Sequence, residues 1–408
     1  MILPALMLAL SVSAQAAESD WPWWRGPGRD GAAAENQKVP LTWSAEENVL
    51  WKAPVPGRGH GSPAVSGSHV YLAACDESTG TQSVLCFDRA TGRQVWDAEV
   101  HKGGAMRKNP KSTGASTTPA CDGERIFITF ANKDSVVATA LSLEGKILWQ
   151  TKISDYQIHQ GYGSSPAVWD RFVFATADHS GGGVVLALDR KTGAVAWKHE
   201  RPKAPNYPSP VVLKIDGKDQ LLLTGCDLVS SFDPSTGKVL WETAGATTEC
   251  VTSTVTDGKH VFSSGGYPRN HLAAIKADGS AKIAWETKDR VYVPSLLIRD
   301  GFLYGVLDAG TAACWESATG KERWKARLGG TFSASPVRVG DRIYAVNEAG
   351  QTFVYQADPE KFTQLATSKL GDEAFATPAI CGGRIYTRVA HKIDGRRQEM
   401  LYCLGEKP

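Results

Sequence analysis

The sequence predicts an all-β fold, an eight-bladed β-propeller of four-stranded blades, and three observations carry that prediction. Tryptophans close short apolar stretches at Trp51, Trp96, Trp149, Trp197, Trp241, Trp285 and Trp324, spaced 39–53 residues apart, a period that marks blade-like repeats. Several of these tryptophans end a common segment: Cys86 to Trp96, Ala187 to Trp197, Ser231 to Trp241 and Cys314 to Trp324 each carry an acidic residue, then Thr-Gly, then Trp. Each reads as a strand, a tight turn with the acid first and Gly where φ must be positive, and a second strand. A second marker opens every unit with a hydroxyl residue: Ser62-Pro63, Thr118-Pro119, Ser165-Pro166, Ser209-Pro210, Ser253-Thr254, Ser295-Leu296, Ser335-Pro336 and Thr377-Pro378.

Six of those eight copies place proline in a strand. Proline donates no ladder hydrogen bond, so the strand must be a sheet edge. A radial propeller puts such an edge at its central channel in every blade and shields it there. Apolar β-formers follow each marker, as in Val70-Tyr71-Leu72, Ile126-Phe127-Ile128 and Ile343-Tyr344, with no helical periodicity. The count closes into a ring because Val49-Leu50-Trp51-Lys52 precedes the first marker, while the eighth unit ends at Leu401-Tyr402-Cys403-Leu404 without its Trp strand. The N-terminal strand is therefore expected to finish the last blade. The seventh unit lacks its Trp, and Phe362 or Leu365 is expected in that place.

Three segments follow. Residues 1–17 read as a secretory signal peptide, an uncharged apolar run from Ile2 to Leu10 leading to the small-x-small pattern Ala14-x-Ala16. Residues 18–46 form an N-terminal strap, and 47–408 a single propeller. Export to a periplasmic or extracellular compartment is expected, with no membrane span, since no stretch reaches about 20 apolar residues. The 45 Lys+Arg against 43 Asp+Glu argue against a nucleic-acid binder held by phosphate contacts. A monomer is expected.

The segment Ala187 to Trp197 resembles the tryptophan-docking repeat of the quinoprotein, PQQ-type β-propellers. In that family the indole packs between a small residue and the Gly of a neighbouring motif. Cys86, Ala187, Ser231, Cys314 and Cys403 are the small residues here. The resemblance implies two roles, a dehydrogenase with PQQ and calcium in the channel, or a BamB-like scaffold that binds protein partners without a cofactor. The quinoprotein alcohol dehydrogenases carry an adjacent Cys-Cys pair, which is absent from this chain. The reading adopted is a non-catalytic binding or scaffold module acting through the channel mouth, without cofactor or metal; the alternative is a PQQ- and calcium-dependent oxidoreductase.

Candidate ligand-binding residues follow from position. His60 and His159 precede inner strands, as do Tyr162 and Tyr207, and His179 lies in a connecting loop; all are expected at one channel mouth. Two basic insertions, with Arg107, Lys108 and Lys111 in one and Arg396 and Arg397 in the other, are expected beside it. Such a patch suits an anionic glycan or an acidic protein segment. Glu249, Asp178 and Glu373 are the carboxylates that a carbohydrate-active enzyme would need to bring together. Cys75 and Cys86 lie on adjacent strands of one hairpin, with a disulfide between them left open. Trp21, Trp23 and Trp24 read as an exposed aromatic platform or, preferably, as part of a strap packed on the propeller flank.

Overall fold

Eight antiparallel sheets stand around one axis, each with its first strand innermost. The structure, a computed structural model, describes residues 20–406; the expected signal peptide lies outside the described residues. Blade one shows the plan, with Ala64–Ser66, His69–Asp76, Thr81–Asp88 and Gln94–His101 in order from the channel outwards. No helix occurs among the described residues. The second strand is buried continuously from Val70 to Cys75, whereas the outermost strand is exposed on every other residue for much of its length. The middle strands are covered on both faces by neighbouring blades, and the last strand meets solvent.

Turn chemistry sets each hairpin. Thr91 donates its backbone N–H and its hydroxyl to Asp88 Oδ1 at 2.8 and 2.7 Å, and Gly92 takes φ +74°. Asp189, Thr192 and Gly193 repeat the arrangement. Directly across the strand pair, every small residue of the motif faces its tryptophan: Cys86 opposite Trp96, Ala187 opposite Trp197, Ser231 opposite Trp241 and Cys314 opposite Trp324.

Each indole then reaches the next blade. Trp96 Nε1 donates to Leu143 O at 2.9 Å, Trp149 to Arg190 O at 3.2 Å and Trp197 to Pro234 O at 3.0 Å. The rings lie where a Cβ on Gly145, Gly193 or Gly237 would have to be. Trp241 departs from the rule by bonding Gln220 Oε1 within its own blade.

The ring closes as expected. Val49–Val55 pairs with Arg396–Leu404 as the outer strand of blade eight, with Trp51 opposite Cys403. Trp51 donates to Arg89 O of blade one at 3.0 Å. In blade seven neither Phe362 nor Leu365 stands at the Trp position: Ala366 does, opposite Val354, and Phe362 packs on Trp324 and Tyr355. The missing indole comes from the strap. Trp43 stacks on Tyr344 with centroids 6.5 Å apart, taking the place that Trp96 takes beside Tyr71 and Trp51 beside Tyr386 with tilted rings. It lines a narrow gap with Ile385 and Val389 of blade eight.

The strap does not lie along the flank. It crosses one end of the channel, touching inner strands all round the ring. Trp21 bridges to Val65, Pro22 O accepts Cys121 N–H at 2.8 Å, Arg29 donates to Val168 O and Arg25 to Leu296 O. Ala32–Ala33 pairs in parallel with the inner strand of blade seven. Arg25 is 1% exposed, and burial brings its guanidinium down to about 10.

All eight cysteines are free and buried. The register places Cys75 opposite Gln82 and Cys86 opposite Tyr71, so the two thiols are out of step along the hairpin and form no bridge.

Candidate functional site

In six of the eight units the opening hydroxyl accepts the backbone N–H of the unit before it, a purpose invisible in any one repeat. The backbone N–H of Ser62 donates to Thr118 Oγ1, Thr118 to Ser165 Oγ and Ser165 to Ser209 Oγ, all at 2.9–3.0 Å. Ser253, Ser295 and Ser335 form a second run that ends at Thr377, and at its start Ser253 Oγ accepts Trp24 Nε1 instead. Proline at the following position leaves a strand with few donors of its own, and the belt joins neighbouring inner strands through side chains instead.

Above this belt the channel widens into a cavity of about 700 Å³. Trp24 lines it from the strap side, held by Nε1 donating to Ser253 Oγ at 2.9 Å. The strap thus closes one end and leaves the other open. The residue two before each hydroxyl lines the wall in every blade: His60, Ser116, Gly163, Tyr207, Val251, Val293, Ser333 and Phe375. The two-residue strand period carries the hydroxyl and this residue to the same side, a signal the sequence contained and that position-by-position reading missed.

Four candidate residues meet here: His60, His159, Tyr162 and Tyr207 all line the cavity. His159 Nδ1 is 2.9 Å from Tyr207 Oη and 3.5 Å from Glu249 Oε1. Glu249 is 6% exposed, and burial raises its carboxyl above the usual range, with His159 and Tyr207 pulling the other way. Tyr162 turns its hydroxyl to Thr176 O at 2.8 Å. On the opposite wall His60 stacks on Phe375 at 4.2 Å. His179 is elsewhere, its Nδ1 accepting Gln157 and Gly181 N–H, so the three histidines form no cluster.

Of the basic candidates only Lys111 lines the cavity. Arg107 pairs with Glu77 at 3.2 Å and Arg397 with Glu373 at 3.0 Å and with Glu399. Lys108 and Arg396 are exposed. Lys111 does reach the cavity, where it pairs with Glu348 of blade seven at 2.8 Å. Of the three candidate carboxylates only Glu249 faces the channel; Asp178 is buried against Arg201 at 3.0 Å and Glu373 is held by Arg397. Sequence reasoning missed Tyr267, Arg290, Tyr292 and Asp308, which complete the Glu249 side of the wall. Tyr292 N–H donates to Asp308 Oδ2 at 2.9 Å. Burial pushes the Tyr292 phenol up to about 12 and raises the Asp308 carboxyl.

Burial, then the charges of Arg58, Arg388 and Arg397, hold His60 well below the ordinary 6.5. Burial also lowers His101, His179, His271 and His391. The unfolded chain therefore takes up protons near pH 6.5 that the folded chain refuses, so stability is complete above that pH and falls as the pH drops. The melting temperature is expected to fall between pH 7.5 and 5, and His60→Gln to flatten part of that slope. An unchanged slope in thermal melts of the variant would remove His60 as a source.

The fold and its tryptophan-docked ring define the class: this is a PQQ-like β-propeller. The chain belongs to the family described as outer membrane protein assembly factor BamB, whose model matches residues 80–326 and 299–364. It is 25% identical over 340 residues to tetrathionate hydrolase of Acidithiobacillus ferrooxidans, covering 73% of this chain but only 65% of that protein's length. BamB from Moraxella catarrhalis superposes with a TM-score of 0.63 at 13% identity, over 86% of this chain and 96% of that one. A europium-containing methanol dehydrogenase gives 0.68 at 11% identity, over 95% and 98%. These structural likenesses establish the fold. Among the described residues no helix is long and apolar enough to cross a membrane.

PQQ and calcium are the groups that the resemblance to the quinoprotein dehydrogenases implies for the channel. Trp24 offers an aromatic face, but no cysteine lines the cavity. No three His, Cys, Asp or Glu side chains converge on a cation position among the described residues, where calcium takes six to eight oxygens. The donor set does not fit that pair.

Proposed function

We propose that the protein is a non-catalytic binding module of the cell envelope that admits a compact ligand, or the end of a partner chain, to the open mouth of its channel. The observation that carries this reading is the closed floor: the chain spends its own N-terminal segment on stopping one end, which turns a solvent channel into a pocket. The volume lies in the range of ligand sites, and aromatic walls with a few placed polar groups are what such sites use. The family description supports an envelope location, in keeping with the signal peptide expected from residues 1–17.

A dianion such as the substrate named for the tetrathionate hydrolase relative suits the cavity poorly. Glu249 and Asp308 only equal Lys111 and Arg290 in number there, and Lys111 is already paired with Glu348. The same balance, with Arg107 and Arg397 paired as well, weighs against an anionic glycan.

Gly163 offers a clean test. A Cβ there would meet only Ser116 at 3.9 Å, without backbone strain, so Gly163→Trp is expected to fill the channel and leave the blades intact. Native mass spectrometry after exposure to a pool of small metabolites should show a species retained by the parent and lost in the filled variant. Equal retention by both, or none by either, would refute the cavity as the binding site.

A further inference from the structure

The geometry points to a specific ligand class for this pocket: the wall formed by Glu249 and Tyr207, Tyr267 and Tyr292 is an aromatic cage for an organic cation, an ammonium or methylated ammonium group. The inference rests on the binding reading above and deepens it.

Three tyrosines from three separate segments line one cavity with one nearly buried carboxylate. Tyr207 comes from the segment before the inner strand of blade four, and its hydroxyl shares His159 with Glu249. Tyr267 comes from the loop between the middle strands of blade five and is paired to Glu249 through the backbone. Tyr292 comes from the segment before blade six, and its N–H is held by Asp308 of the same wall. All line the same cavity as Glu249, and Tyr267 is 55% exposed. An exposed tyrosine beside a nearly buried acid has no evident packing role.

The charge bookkeeping favours a cation. Among the described residues Glu249 has no Lys or Arg ion-pair partner; its ion-pair neighbour there is His159, which competes only when protonated. Arg290 is the one fixed cation on this wall, and its Nη1 donates to Gly266 O at 2.9 Å, with the guanidinium 5.2 Å from the Tyr292 centroid. Arg290 thus covers part of the Tyr292 ring, and the ligand cation is assigned to the Glu249 side of the wall, away from that guanidinium. Aromatic faces bind ammonium through the ring quadrupole, most strongly where water is excluded, and a carboxylate at the base supplies the countercharge. A neutral ligand of the same shape would leave Glu249 uncompensated.

Choline is the probe, and 3,3-dimethyl-1-butanol, its uncharged carbon isostere, is the control. Titration calorimetry on the intact chain should show choline binding at least about tenfold tighter than the isostere. Glu249→Gln should lose that preference, Tyr292→Leu should weaken choline by about tenfold, and Tyr292→Phe, which keeps the face, should restore it. The Tyr292 pair keeps the test decisive if Glu249→Gln fails to fold. Equal binding of choline and isostere, or choline binding that survives Gly163→Trp, would overturn the assignment. If neither binds while metabolites are still retained by the parent and lost in Gly163→Trp, the cation class falls and the binding reading stands.

Discussion

Glu399→Ala is expected to destabilise the protein by about 3–5 kcal/mol, the cost of leaving a buried charge without its partner. Glu399 and Arg388 are each 2% exposed. The pair is formed by Arg388 Nε and Nη2 on Glu399 Oε2. Their remaining groups tie blade eight to blade one: Arg388 Nη1 donates to Ala73 O at 2.6 Å, and Glu399 Oε1 accepts Gly59 N–H at 3.2 Å. This is the junction where the two ends of the chain meet, so the loss falls on ring closure. The double variant Arg388→Met with Glu399→Met removes both charges and retains much of the volume. It should be markedly more stable than Glu399→Ala, because a well-filled apolar pair incurs no charge-burial penalty. Urea unfolding of the three proteins measures the difference. A double variant no better than the single one would mean that the junction depends on the polar links to Ala73 and Gly59 rather than on charge balance.

Legibility in the sequence followed the range of the forces involved. The Asp-x-x-Thr-Gly turns were readable because Asp88 captures Thr91 three residues away. The proline markers announced edge strands for an equally local reason. The hydroxyl belt was visible as a pattern but not as a purpose, since Ser62 bonds a partner 56 residues on. Trp43 escaped because the strap carries no repeat against which to align it, although its place beside Tyr344 repeats the other blades. His60, His159 and Tyr207 were found from their places before inner strands. Tyr292 and Phe375 occupy comparable places and were passed over, because nothing in a single unit marks an aromatic residue as facing a channel instead of a core. The strap's course across the channel had no sequence signature at all: Trp21, Trp23 and Trp24 fit a flank as well as a floor until the ring exists to be closed.

The tryptophan dock gives the second large effect, and two glycines with similar backbones isolate it. Gly92 and Gly279 both sit in the left-handed region, at φ +74° and +85°. A Cβ on Gly279 would meet nothing within 4 Å, whereas one on Gly92 would lie 2.7 Å from Trp51 Cδ2. Gly279→Ala should therefore cost only the conformational strain, about 1–2 kcal/mol. Gly92→Ala adds displacement of a buried indole that closes the ring and is expected to reach about 3–5 kcal/mol, the scale of losing a large aromatic contact. Trp51→Ala should cost a similar amount. In the Trp51→Ala background, Gly92→Ala should fall back to the strain alone, because the ring it would strike is gone, and the difference between the two backgrounds is the docking energy itself. Chemical denaturation of the four variants of this cycle, with Gly279→Ala beside them, measures each quantity. An equal cost for Gly92→Ala in both backgrounds would show that the indole and the glycine do not act as a unit. The blades would then be joined by their shared apolar faces and the hydroxyl belt, with the repeated tryptophan serving only its own blade, as Trp241 already does through Gln220.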